Sequence, residues 1–291
     1  MPANTNQTVR RVIAQHPAKR DDIGDLTTRR PLPGPSLEQL DPFLFLNHHG
    51  PQTYPANNQG LPFGPHPHRG FETVTFILEG SLAHADSAKH QSVIHKGGVQ
   101  WMTAGSGIVH AEISPEEFLR DGGPLEILQL WINLPSRLKM SEPRYVGLQQ
   151  ESIPAIKLPG GGELNLIAGE WQGSVGPINS LTGVFMSTLR LPSGSHEQLP
   201  AAPGRQVFLY VVDGDVTVGG EPVKPHHLIE VDRDGDSLVI EASSDARLLF
   251  GHGDVIDEPV YSHGPFVMNT REEIVQAVDD YQNGKFGGLD A

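Results

Sequence analysis

The feature that most limits the fold of this chain is an internal repeat. Residues 70–81 run from Gly70 through an apolar stretch containing Val74, Phe76, Ile77 and Leu78 to Glu79-Gly80-Ser81. Residues 204–215 do the same, from Gly204 through Val207, Phe208, Leu209, Tyr210, Val211 and Val212 to Asp213-Gly214-Asp215. Each copy reads as an apolar strand closed by an acid-Gly-polar turn and followed by a further strand. At 291 residues the chain also exceeds the roughly 100–200 residues of a usual single core. Two copies of one β-barrel account for both facts. The 33 Gly and 25 Pro agree, because both residues weaken helix interiors and punctuate short strands. One helix is expected, at the end: Thr270 through Glu273 fits a capping box, and Ile274, Ala277, Val278 and Tyr281 form one apolar stripe that stops at Asn283-Gly284.

The copies differ in chemistry. The first carries His66-Pro67-His68, Glu72 and then His110-Ala111-Glu112. Residues at i, i+2 and i+4 of a strand project from one face, so two adjacent strands could aim three imidazoles and a carboxylate at one point. With no Cys in the chain, any metal must be held by nitrogen and oxygen, and such a set suits a divalent first-row metal. From His66 the alternate residues His68, Gly70, Glu72, Val74, Phe76 and Leu78 read as one face of a strand, or of two short strands around a kink. The residues alone leave open whether Glu72 or Glu112 supplies the carboxylate. The second copy has no His-x-His before Val207, and His226-His227 are adjacent, so in a strand they face opposite ways. His84, His90, His95, His226, His227, His252 and His263 read as surface or structural groups. His48-His49 are candidates to line the pocket, Trp101 and Trp131 read as core, and Gln129 and Asn133 share a face with Trp131 from which they could orient the site.

Residues 1–35 are polar and rich in Pro and Gly, with a β-like piece at 10–14. Residues 135–143, polar and bounded by prolines, read as a linker. The expected organisation is a metal-binding domain over 1–135, a linker over 136–143 and a ligand-free copy with its helix over 144–291. The 35 acidic and 21 basic residues give a net charge of −14, which disfavours phosphate backbones and anionic membranes. The small clusters Arg10-Arg11 and Arg29-Arg30 read as solvated surface. The first 22 residues lack the apolar core of a signal peptide and no run approaches the ~18 apolar residues of a membrane span. A soluble cytoplasmic protein is expected, with monomer as the expected state.

Gly60, His66-x-His68, Glu72 and Gly80 resemble the first cupin motif, with Glu72 to Gly80 one residue longer than usual, and Gly98 through Gly105-Ser106-Gly107 to His110 resembles the second. The strings around His66 to Thr75, Gln100 to Gly107 and His110 to Glu112 resemble the pirin family in particular, as do 130–135 and 264–269. The resemblance spans about residues 10 to 290. It implies an all-β bicupin: two β-barrel domains of jelly-roll, or double-stranded β-helix, type with a C-terminal helix. In pirins the metal lies in the N-terminal cupin on the His-x-His, the later His and the Glu two residues on, which carried over are His66, His68, His110 and Glu112, with no ligand role for Glu72. The implied cofactor is Fe(II), with Mn, Co, Ni, Cu or Zn as alternatives.

Four protein ligands leave one or two coordination positions open, which separates a reactive site from a structural one. The resemblance implies a dioxygenase that opens a flavonol such as quercetin with O2 and releases CO. Glu112 would then be ligand and general base in turn, deprotonating the substrate hydroxyl. A zinc cupin would need a non-redox role as isomerase or hydrolase. The alternative of another class, which the resemblance also implies, is a non-enzymatic Fe-dependent regulator that binds a transcription or metabolic partner protein, with no direct contact to nucleic acid.

Overall fold

The structure is a computed structural model, in which residues 8–289 are described. The repeat is realised as two units built on the same plan, each a seven-stranded and a four-stranded antiparallel sheet. In the unit that holds the histidines, the larger sheet has the spatial order Arg144–Leu148, Val99–Thr103, Phe71–Glu79, Gly123–Asn133, Phe43–Tyr54, Thr28–Leu32, Lys19–Arg20. Its smaller sheet runs Phe63–His68, Ile108–Ile113, Ser81–Asp86, Gln91–His95. In the other unit the larger sheet runs Val12–Pro17, His227–Val231, Gln206–Asp213, Ala246–Gly253, Phe185–Leu191, Glu163–Ala168, Ala155–Lys157. The two repeated segments, as Phe71–Glu79 and Gln206–Asp213, thus sit third in their respective sheets.

The interiors of the units differ. The ligand-free barrel is filled by a continuous apolar core that includes Leu166, Phe185, Val207, Leu209, Val211, Ile229, Leu238, Ile240, Leu248 and Phe250. Burial at roughly 25 cal/mol per Å2 of apolar surface makes such a core the main source of that unit's stability. The barrel with the histidines buries an apolar cluster around Leu26, Ile77, Leu82, Ile94, Leu125 and Ile127. The rest of its interior carries the histidines, Glu112 and the aromatic rings described below.

The units are not contiguous in sequence, unlike the expected division into 1–135 and 144–291. One gathers the described part of Met1–Ala18 with Gly34–Leu40 and Ile153–Val255; the other gathers Lys19–Pro33, Asp41–Ser152 and the described part of Ile256–Ala291. The first strand, Val12–Pro17, pairs with His227–Val231 in the ligand-free unit. Arg10, read as solvated surface, is 0% exposed there. Its guanidinium donates to the carbonyls of Ala201, Ala202, Arg205 and Asp232, four acceptors that a planar five-donor fork can satisfy at once. The expected linker is also built in: after a short turn at Ser136–Leu138, buried Lys139 donates from Nζ to the carbonyls of Gly70 and Val267 and to Asn133 Oδ1. Arg144–Leu148 then pairs with Val99–Thr103 in the histidine unit.

The C-terminal helix, Arg271–Gln282, begins with the expected capping box on Thr270 and Glu273. It packs on the histidine unit through Ala277, with Ile274 and Val278, against Val109, Phe266 and Phe286. Tyr281 remains 40% exposed at the edge of that stripe.

Candidate metal centre

His66 and His68 end the strand Phe63–His68, and His110 lies on the neighbouring strand Ile108–Ile113, where it is the register partner of His66. Strand alternation turns all three inward. Their ring centroids are 4.4 to 4.9 Å apart, and their ligand atoms lie within 4.8 Å of one another, the one such group of metal-binding side chains among the described residues. His66 Nδ1 bonds to the Gly64 carbonyl at 2.7 Å and His68 Nδ1 to the Pro265 carbonyl at 3.3 Å. A carbonyl only accepts, so in each ring Nδ1 carries the proton and Nε2 keeps its lone pair. His68 Nε2 and both nitrogens of His110 are buried with no hydrogen-bond partner.

Burial, then the neighbouring His66, lowers the pKa of His68 to about 3. Burial, then His68, His66 and His84, holds His110 well below its ordinary value. Both rings are therefore neutral at physiological pH, the state that binds metal. Neutral imidazoles with orphaned nitrogens, converging without any thiolate, fit a divalent first-row cation.

The chain does not continue straight from His68 into the next strand. Gly70 sits at φ +90°, and a Cβ there would lie 2.0 Å from the Val267 carbonyl oxygen, so only glycine makes this turn. Beyond it the strand Phe71–Glu79 belongs to the other sheet, and the single face expected from His66 to Leu78 is broken. Phe71 and Thr75 now point inward: Phe71 packs 5.1 Å from His68, and Thr75 bonds to Glu112. Alternation then sends Glu72 to the opposite face, where Oε1 accepts from Thr103 Oγ1 at 2.7 Å. Burial raises its pKa, opposed by Thr103, Trp101 and Arg144. Glu112, two residues beyond His110, is inward and 3% exposed. Its oxygens accept from Thr75 Oγ1 at 2.9 Å and from Gln129 Nε2 at 2.5 Å.

Trp131, read as core, is half-buried and faces the histidines: it lies 5.4 Å from His68, 4.4 Å from Phe71 and 4.6 Å from Phe45, on which it stacks. On Gly123–Asn133 the outward residues Leu128, Leu130 and Ile132 are all 0% exposed, whereas inward Gln129 and Trp131 are half-buried, as are Phe45 and His66. Solvent thus reaches the inner face at the histidine end, and the barrel is open there. Asn133, by contrast, is taken up by Lys139. His49, buried against Phe63, bonds to Thr28, and burial, then His48 and Arg30, lowers its pKa to about 3. Trp101 is buried, as expected.

Sequence reasoning passed over a second buried polar group. His84, whose ring is 5.5 Å from that of His110, stacks on Tyr145 at 3.8 Å and bonds through Nε2 to Asp86 at 3.0 Å. Asp86 also accepts from His90 and from the backbone of Ala88 and His90. The period-two spacing of Leu82, His84 and Asp86 was the available signal.

Two barrels of one strand order, one closed by an apolar core and the other carrying three convergent histidines at an open mouth, define a two-barrel cupin. The comparisons narrow the class. The family model described as Pirin matches residues 25–132, and the Pirin C-terminal cupin domain matches residues 186–287. The chain belongs to the pirin family. It is 41% identical over 268 residues to a pirin-like protein of Caulobacter vibrioides, covering 91% of this chain and 94% of that one. It is 39% identical over 266 residues to the pirin of Homo sapiens, covering 89% and 87%. A crystal structure named quercetin 2,3-dioxygenase from Acinetobacter baumannii superposes with a TM-score of 0.90 at 33% identity, covering 97% of this chain and all of that one. No helix of the described residues is long and apolar enough to cross a membrane.

Proposed function

We propose that this protein is a metal-dependent dioxygenase that cleaves a flavonol such as quercetin with O2 and releases CO. The observation that carries the reading is the open mouth of the histidine barrel. There, orphaned imidazole nitrogens face solvent-accessible aromatic rings, the combination a planar phenolic substrate requires. The Acinetobacter relative, named for this activity, supports the reaction class.

His66, His68, His110 and Glu112 would hold the metal, Fe(II) in this reading. The bound metal would supply a Lewis acid for a phenolate oxygen and the redox capacity that dioxygen chemistry needs. Trp131 and Phe45, both half-buried, offer an aromatic surface on which the flat substrate rings can lie, with fully buried Phe71 packed against Trp131. Glu112 takes the proton of the substrate hydroxyl, and its buried surroundings keep bulk water from competing for it.

The test is CO release from quercetin by protein loaded with Fe(II) without oxygen and then exposed to air, with His110→Ala alongside. CO from the parent protein alone supports the reading. No CO from a parent protein that holds iron excludes quercetin turnover.

A second reading, a metal-dependent regulator of a partner protein, is favoured by one observation. The strand that ends in His68 is tied to the C-terminal segment by the Pro265 carbonyl and by the Arg69–Asp280 ion pair at 2.9 Å. That segment's helix exposes Val275 and Tyr281. This reading predicts metal binding and a partner, with no turnover.

A further inference from the structure

Glu112 is held in a way that the histidines are not. Both of its carboxylate oxygens have a side-chain donor, Thr75 Oγ1 on one and Gln129 Nε2 on the other. Thr75 and Gln129 are register partners on adjacent strands of the larger sheet, while Glu112 projects from the smaller sheet. The donors therefore come as a matched pair from the opposite wall of the barrel. Nor is the Gln129 amide free to turn: its Oε1 accepts from Trp131 Nε1 at 3.3 Å, which commits the NH2 group to Glu112.

The Glu112 carboxylate does not belong to the group of side chains whose ligand atoms all lie within 4.8 Å of one another, which holds His66, His68 and His110 alone; we propose that Thr75 and Gln129 form a docking position for it there, so that Glu112 exchanges between this position and the metal. The inference rests on the metal-centre reading above and adds Gln129 and Thr75 as positioning residues. A carboxylate that leaves the metal opens a coordination position and becomes a base in the same movement. Left without donors in a buried site, that charge would be costly, and charge-assisted hydrogen bonds remove the cost. The docked state thus competes with ligation, and destroying it should strengthen metal binding.

That sign makes the test. Ni(II) is titrated by calorimetry into full-length protein stripped by a chelator, for the parent, Thr75→Val, Gln129→Leu and Thr75→Ser. Hydrogen bonds to charged groups are worth a factor of about ten or more in an equilibrium. Thr75→Val and Gln129→Leu should each bind Ni(II) about tenfold more tightly, and Thr75→Ser, which keeps the hydroxyl, should match the parent. A purely structural role predicts the reverse, because a loosened site binds metal less well. Equal or weaker affinity in the near-isosteric Thr75→Val overturns the docking position. A parent protein that does not take up Ni(II) overturns the metal-centre reading instead, so the two failures are distinct.

Discussion

Acid should unfold this protein through its buried imidazoles. Burial, with the help of neighbouring cationic or imidazole groups, lowers the pKa of His49, His68 and His252 to about 3 from 6.5. As pH falls below the unfolded value, the unfolded chain takes up a proton at each of these positions and the folded chain does not. The stability they contribute is complete above the unfolded pKa and is lost as pH falls towards the folded one, at ~1.4 kcal/mol per pH unit for each group. From neutrality to about pH 5, each histidine then removes about 2 kcal/mol and the three about 6 kcal/mol, a large part of a usual total of about 5–15 kcal/mol. His110 acts in the same direction. Glu72 and Asp41 act against it: burial raises both, so the folded chain protonates them first as pH falls and recovers part of the loss. The assay is urea unfolding followed by circular dichroism in the presence of EDTA, at about pH 7, 6 and 5. His49→Gln should take about 2 kcal/mol out of the pH dependence between about pH 7 and 5. A urea midpoint that stays constant from about pH 7 to 5 in the parent protein would refute the argument.

Two further outcomes follow from the site. Gly70→Ala places a Cβ 2.0 Å from the Val267 oxygen at φ +90° and should cost about 3 kcal/mol or more. It should also weaken Ni(II) binding, since the same turn aims His68; a melting temperature equal to the parent's contradicts this. Removal of metal with EDTA should lower the melting temperature of the parent, because ligand at 100 times its Kd contributes about 2.7 kcal/mol. His110→Ala should melt alike with and without the chelator, as scanning calorimetry can show.

The three histidines were legible because their spacing matches the period of a strand, and that period survives folding at both segments. Glu72 stood open beside Glu112 for the same reason. Counting by twos from His66 assumes an unbroken strand, whereas the turn at Gly70 shifts the count by one and moves the inward set to Phe71 and Thr75. The repeat was legible from its turn signature, and with it the two-barrel plan. What no local pattern could show is partner choice. Nothing in the sequence Val12-Ile13-Ala14-Gln15 states that its partner lies more than 200 residues away, and a strand is compatible with any unpaired edge. Arg10 looked solvated because charge is usually exposed; its burial depends on four carbonyls delivered by distant loops. Trp131 looked like core because its neighbours Leu130 and Ile132 are core, and only its inward phase places it at the mouth.

The hydrogen bond from His68 to Pro265 has a consequence for how the protein is made. The acceptor is 197 residues downstream of the ring it orients, and Asp280, which pairs with Arg69 next to that ring, is further still. On the ribosome both histidine strands emerge long before these partners do. Until Pro265 has left the exit tunnel, the His68 ring lacks the acceptor that fixes its proton on Nδ1 and turns Nε2 towards the other two imidazoles. With the histidines holding metal as proposed above, a nascent barrel would be a poorer chelator than one that has recruited the segment around Pro265, and uptake would follow that recruitment.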